Sequence, residues 1–180
     1  MSGSNLRRLL HVSTASVLVV GMISWELLGV VLTITAFVGL GCEYLRLRFA
    51  AVRDCLRKWV PVFRQEEAAR VSGAAWLAAG YAVAGWVPAP GVLGGILVSA
   101  FADPAASLVG SRLGKSQGRK TAAGSLAALV VSFAIAVFIG LNLLDAMIVA
   151  FVAVALERWP VVNDNLSLAP GVAAAIWVLS

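Results

Sequence analysis

Apolar residues in this chain come in runs. Stretches such as "GVLGGILVSAFA" (91–102) and "SLAALVVSFAIAVFIGL" (125–141) lack the polar/apolar alternation that a membrane β-barrel requires. The pattern predicts helices, with about seven apolar spans over Leu9–Ser24, Leu27–Leu45, Ser72–Trp86, Val92–Val109, Ala122–Leu141, Leu143–Leu156 and Leu168–Leu179. A full crossing needs about 20 residues, and the first, third, sixth and seventh spans fall short of that. Arg7 and Arg8 precede the first span as they would in a signal peptide. The run leads straight into the second span without a clear cleavage site, so it is expected to remain a span. The expected fold is all-α: a polytopic integral membrane helix bundle of about seven transmembrane helices, forming one transmembrane domain over residues 1–180.

Charge assigns an orientation to these spans. All 14 Lys and Arg residues fall on the side of the N-terminus, whereas the opposite side carries Glu26 and Asp145. The positive-inside rule then predicts a cytoplasmic N-terminus and an outer C-terminus. A six-span reading would scatter the basic residues over both sides. Trp25 and Trp86 fall at outer boundaries and Trp59 and Trp159 near inner ones, as interfacial aromatics do, while Trp76 and Trp177 fit less neatly.

Composition agrees with this reading: 61% of residues are hydrophobic and 13% charged, outside the range of soluble domains and of disordered chains. Two cysteines, Cys42 and Cys55, form neither a disulfide framework nor a metal or redox motif. The net charge of +5 is expected from basic cytoplasmic loops facing anionic lipid. No base-reading motif accompanies it, so no nucleic-acid partner is expected. The longest polar segment, about 46–70, has Phe49, Val52, Leu56 and Trp59 at helical spacing. It predicts an amphipathic helix lying on the inner leaflet.

Ionisable residues inside or beside spans are costly in lipid and mark candidate function. Asp103 lies within the fourth span and is followed by Pro104, expected to kink or break the helix. Gly91, Gly95, Ser99, Asp103, Ser107, Gly110 and Gly114 recur at steps of three or four and share a face. The first half of this stripe suits helix packing, and its GxxxG at Gly91 and Gly95 is a candidate homodimer contact. Packing alone does not need the carboxylate of the second half. The stripe runs into "GSRLGKSQGRKTAAGS" (110–125), which mixes Arg112, Lys115, Arg119 and Lys120 with Gly110, Gly114, Gly118 and Gly124. Glycine amides and cations together suit phosphate oxygens. "GSRLGKS" is one residue short of a P-loop and follows an apolar helix, so a P-loop fold is rejected. The same residues also suit a plain topogenic loop. Glu157, Asp164 and Asn165, in "LERWPVVNDNLSLAP", offer hard oxygen ligands of the kind Mg²⁺ takes, or a hydrogen-bonded turn. Glu43 precedes Arg46 and suits a local ion pair; His11 opens the first span without ligand spacing.

These blocks together resemble the CTP-dependent polyprenol kinases: dolichol kinase, phytol kinase and the CTP-dependent diacylglycerol kinase. The resemblance rests on Arg7-Arg8-Leu9-Leu10-His11, Glu43, Ser72-Gly73, Asp103-Pro104-Ala105-Ala106-Ser107 with Gly110, Gly114 and Lys115, then Lys120-Thr121-Ala122-Ala123-Gly124-Ser125. It ends with Glu157 and Asp164-Asn165-Leu166-Ser167-Leu168-Ala169-Pro170. The blocks occur in the family's order over nearly the whole chain. Ala102 replaces a family Gly, Arg8 a Lys and Ala123 a Glu, the last a departure at a carboxylate.

The resemblance implies an integral-membrane, Mg²⁺-dependent kinase. It would transfer the γ-phosphate of CTP to the hydroxyl of a membrane lipid alcohol, polyprenol-type or diacylglycerol, at the cytoplasmic face of the cell membrane. It implies nucleotide binding by Gly110, Arg112, Gly114, Lys115, Arg119, Lys120, Gly124, Ser125 and Asn165, with Asp103, Glu157, Asp164 and Lys120 as catalytic residues. Asp103, Asp164 and Asn165 would hold Mg²⁺, or Asp103 would be the base for the lipid hydroxyl. Arg7, Arg8, His11, Glu43 and Ser107 would face lipid or phosphate, and the acceptor would enter along the small-residue stripe. The other readings are a phosphatidate cytidylyltransferase-like enzyme and, given Ala123, a catalytically inactive membrane scaffold or small transporter.

Overall fold

The computed structural model describes residues 3–59, 70–113, 120–160 and 162–180. Among these residues the chain is all-helical, with no strand. Helix α1 (Gly3–Ser13) passes through a 3₁₀ turn (Thr14–Val17) into the short α2 (Leu18–Gly21). Then follow α3 (Trp25–Arg48), α4 (Ala50–Trp59), α5 (Gly73–Ala84), α6 (Gly91–Leu113), α7 (Ala122–Phe138), α8 (Leu143–Arg158) and α9 (Asp164–Leu179). Each apolar run read from the sequence therefore falls in helix.

The helix starts are written in polar side chains. Ser24, Ser72 and Thr121 accept hydrogen bonds from the backbone N–H groups of Leu27, Ala75 and Gly124, and so cap α3, α5 and α7. Asn142 caps α8 through Leu144 and Asp145, and Asn163 caps α9 through Asn165. Each cap satisfies donors that a helix start otherwise leaves unpaired.

Length separates the helices. Two of them, α3 and α6, are long and apolar enough to cross a membrane. At 1.5 Å per residue, α5 reaches only about 18 Å, against about 30 Å for a bilayer's hydrocarbon core. Of the seven expected spans, four of them short for a crossing, two fall in helices of spanning length and the others in shorter helices. The shorter helices spend residues on caps and turns that the hydropathy pattern counts as span.

The helices alternate in direction. Glu43 near the end of α3 reaches Ser72 at the start of α5, and Asn165 at the start of α9 reaches Gly73. Lys120, just before α7, meets Glu157 at the end of α8 and Asp164 at the start of α9. At the other end Trp86 bonds Thr33, Gly29 backs onto Gly85, and Gly91 lies against Ala173 and Trp177. Charged residues thus gather at one end, and Trp25, Trp86 and Trp177 lie at the opposite end. Trp177, awkward in the sequence, is one turn from the end of α9.

Helix α6 is central, packed against α7, α9 and α1. Its core residues Val92, Ile96, Val98 and Ala100 are fully buried, as are Val172, Ala173 and Ile176 of α9. Small residues set the spacing. A Cβ on Gly95 would meet the carbonyl of Ala169 and lie 2.8 Å from the Ala173 methyl, and one on Gly80 would lie 2.7 Å from the Asn165 carbonyl. The GxxxG of Gly91 and Gly95 is therefore an internal seam with α9, leaving that face no room for a second copy.

Two further expectations are corrected, and the amphipathic helix of the polar segment is borne out over part of its length. Helix α6 is continuous through Pro104, so the expected break is absent, the lost backbone bond being offset by packing on its neighbours, chiefly α7 and α9. The polar segment from Arg46 is not one helix: Arg46 and Arg48 complete α3, Phe49 is extended, and α4 covers Ala50–Trp59. Helix α4 is the amphipathic helix the sequence predicts, holding Val52, Leu56 and Trp59, and the remainder, 60–69, lies outside the described residues. The glycine-rich stretch 110–125 is loop only in part, since α6 continues to Leu113 and α7 starts at Ala122.

Outward surfaces are apolar. Val30, Ile34, Phe37 and Val38 of α3, Phe138 of α7 and Val178 of α9 are all exposed. Gly95→Leu should lower the thermal midpoint of the protein in detergent, at an overpacking cost of about 1–3 kcal/mol. Gly41→Ala, with no atom within 4 Å of the new Cβ, should leave it unchanged or raise it.

Candidate functional site

At the charged end of the bundle, polar side chains from five elements converge. Lys120 is the hub. Its Nζ lies 2.9 Å from Asp164 Oδ2 and 3.9 Å from Glu157 Oε1, and it also donates to the main-chain carbonyl of Glu157. One ammonium therefore joins the approach to α7, the end of α8 and the start of α9. Asp103, from the C-terminal half of α6, feels the charges of His11, Asp164, Lys120 and Arg7. Its Oδ2 is 3.8 Å from His11 Nδ1. Glu157 in turn feels Lys120, Asp103, Asp164 and Arg158. Three carboxylates, one lysine and one histidine thus form a single electrostatic group from residues far apart in sequence.

Two atoms in this group lack partners. His11 Nδ1 and Glu157 Oε2 are buried without a hydrogen bond. A buried polar atom left unsatisfied is costly, so both are positions where a ligand atom would be stabilised.

Around the group, several predicted residues have structural roles. Arg8 grips α6, donating from Nε to Ser107 Oγ at 3.2 Å and from Nη2 to the Ser107 carbonyl and to Ser111 Oγ at 3.1 Å. Arg8 and Ser107 thus staple α1 to α6. Glu43 is a correction to the lipid- or phosphate-facing assignment. It is buried, pairs with Arg46 at 2.5 Å, and accepts from the Ser72 backbone N–H at 2.6 Å. Arg46 also donates to the Arg70 carbonyl at 2.7 Å, so this joint fixes where the chain re-enters the bundle at α5. Arg7 presses with Asn165 against Gly73, where no Cβ fits, and Asn165 Nδ2 donates to the Gly73 carbonyl at 3.1 Å. Ser125 accepts from Arg158 at 3.1 Å.

The glycine amides are not the expected cradle. Gly110 lies within α6, where its N–H belongs to the helix, and the Gly124 N–H is taken by Thr121 Oγ1 at 3.1 Å. Both glycines serve close approach: a Cβ on Gly124 would lie 2.8 Å from the Ala106 carbonyl, and one on Gly110 2.8 Å from Thr121 Oγ1. Arg112 is exposed near the end of α6. Gly114, Lys115 and Arg119 lie outside the described residues. The stripe is also closed as an acceptor path along its Gly91–Gly95 half, which α9 fills.

Sequence reading missed Arg158, Ser111 and the pair Thr14 and Tyr81, whose hydroxyls lie 2.9 Å apart. Tyr81 carried a signal: a phenol in an otherwise apolar helix needs a partner for its hydroxyl. Among the described residues no group of three or more His, Cys, Asp or Glu side chains is close enough to hold a metal ion. Comparison with protein-family models, with curated proteins and with solved structures finds no match.

The Glu43–Arg46 joint generates a test. Glu43→Ala leaves a buried guanidinium short of its carboxylate and should destabilise the protein by about 3–5 kcal/mol. The double variant Glu43→Ala/Arg46→Leu should recover much of that loss in thermal melts, because an apolar pair carries no unpaired charge.

Proposed function

We propose that this protein is an integral-membrane lipid-alcohol kinase that uses CTP. In this reading the alternating apolar helices form a bundle of about seven spans, with the charged end facing the cytoplasm. The shorter helices would be accommodated by local thinning of the bilayer. One observation carries the reading. Asp103, Lys120, Glu157 and Asp164, residues that the sequence marks separately, form one charged group with His11 at one end of an apolar bundle. Ionisable clusters at membrane depth belong to chemistry or transport by default.

The chemistry follows from the charges. The acceptor hydroxyl gives up its proton, its oxygen bonds to the γ-phosphorus of CTP, and the bond from that phosphorus to the bridging oxygen breaks, releasing CDP. Such transfer is mostly positioning and neutralisation of charge. Asp103, beside His11, is suited to accept the hydroxyl proton. Lys120 is suited to exchange its carboxylate partners for phosphate oxygens, aided by Arg112, Lys115 and Arg119.

Mg²⁺ fits the site in donor chemistry: with Asp103 as the base, Asp164 and Glu157 would hold it, and Glu157 Oε2 is buried and unpartnered. Mg²⁺ is commonly held by one or two carboxylates plus substrate phosphates, so a three-residue protein cage is not required. When bound, the ion would neutralise phosphate charge during the transfer.

A second reading, an inactive scaffold, is favoured by Ala123 and by the absence of a three-ligand group among the described residues. Purified protein in lipid with Mg²⁺ and γ-labelled CTP, ATP or GTP separates the two. Label should pass from CTP to an extractable lipid alcohol with release of CDP, and Asp103→Asn should abolish it while CTP still binds. Release of pyrophosphate would instead indicate a cytidylyltransferase, and absence of both transfer and CTP binding the scaffold. Full activity in Asp103→Asn would remove Asp103 from the chemistry.

A further inference from the structure

The second half of the α6 stripe receives α1 in a fixed register. Arg8, His11 and Thr14 follow one another at single helical turns, and Ser107, Asp103 and Ser99 do so on α6 in the opposite direction. Arg8 donates to Ser107, and His11 Nδ1 lies 3.8 Å from Asp103 Oδ2. The backbone of Ser99 also faces His11. His11 thus stands between two ties. The Arg8 staple is the first, and the second lies at Thr14, where α1 tightens into the 3₁₀ turn.

That second tie runs through Tyr81 of α5. The Thr14 hydroxyl donates to the His11 carbonyl at 2.6 Å, and the Tyr81 hydroxyl lies 2.9 Å from the same Thr14 oxygen. A hydroxyl carries one proton. Thr14 directs its proton to His11, so the phenol is the donor of the second bond. Tyr81 is itself fixed: it is buried with Leu28, Leu32, Val92 and Ile96, and it faces Ser99 on α6. A ring held by the core therefore sets where α1 turns, and with it where His11 stands. Packing alone needs that ring and not its hydroxyl.

The imidazole is held where a contact to Asp103 can close. His11 is 7% exposed, and its Nδ1 has no hydrogen-bond partner. At 3.8 Å it stands just beyond hydrogen-bond reach of the carboxylate. Catalytic hydrogen bonds are often long before substrate binds and tighten in the complex. We propose that Tyr81, acting through Thr14, is a positioning residue that holds the His11 imidazole at the Asp103 carboxylate. His11 in turn orients that carboxylate towards the acceptor hydroxyl. The kinetic half of this inference rests on the reading of Asp103 as the base; the placement of His11 does not.

His11 is the single histidine of the chain, so ¹⁵N-histidine labels one imidazole. The full-length protein, without a histidine tag and in phosphatidylcholine bilayers, is read by solid-state NMR. The imidazole nitrogen shifts should move in Tyr81→Phe and in Thr14→Val, which remove a hydroxyl and little volume, and stay at wild-type values in Thr14→Ser. In transfer assays with γ-labelled CTP, Tyr81→Phe and Thr14→Val should each lower kcat about tenfold with KM for CTP unchanged, while Thr14→Ser keeps the wild-type kcat. Wild-type shifts in Tyr81→Phe, or moved shifts with kcat unchanged, overturn the inference. Should Tyr81→Phe fail to fold, the Thr14 pair decides, and equal shifts in Thr14→Val and Thr14→Ser overturn it. Moved shifts in a protein that transfers no label uphold the placement of His11 and remove the kinase reading.

Discussion

Charge inside an apolar bundle is tolerated only where it is paired, and that constraint organises this protein. Asp103, Glu157 and Asp164 would repel one another if they stood alone. Lys120 stands between two of them, and His11 and Arg7 lie near the third. Each of these groups comes from a different stretch of the chain. Neutralising them therefore requires α1, α6, α8 and α9 to present the same end together, with the approach to α7 beside them. The alternating helix directions are the topological form of that requirement.

Close packing makes such convergence possible. Side chains of ordinary size between α6 and α9 would hold the two helices further apart. Gly95 against the Ala169 carbonyl and Gly80 against the Asn165 carbonyl remove that spacing. Where helices share an apolar environment, contact distance and interhelical polar bonds supply the attraction that water otherwise provides. The small-residue stripe of α6 thus has two functions along its length. Towards Gly91 it seats α9, and towards Asp103 and Ser107 it receives α1 through Arg8 and His11.

The helices were legible in the sequence because runs of apolar residues bounded by Ser, Thr and Asn state both extent and start. Ser72, Thr121 and Asn142 are caps that also mark span boundaries. The charged group was legible as separate fragments, since carboxylates inside or beside apolar runs are conspicuous by cost alone. Functions that depend on partners were not legible. Glu43 reads equally as a site residue or an ion pair until Ser72 is seen to donate to it. Gly110 and Gly124 read as a phosphate cradle because glycine permits close approach of any kind, and here the approaching group is another part of the chain. Pro104 read as a kink or break because local propensity ignores the neighbours that hold α6.

The remaining asymmetry lies between the two halves of the bundle. Around α6, α7, α8 and α9 the interior is filled: Val98, Ala136, Ala146, Val149 and Val172 are buried to completion. Between α1, α3 and α5 it is not, although Leu32, Leu77 and Tyr81 supply a core there too. The unfilled volume opens to the surface and is lined by Arg7, His11 and Ser72 but not by Asp103, Lys120, Glu157 or Asp164, so the carboxylates and their lysine keep to the filled half, where packing holds them together.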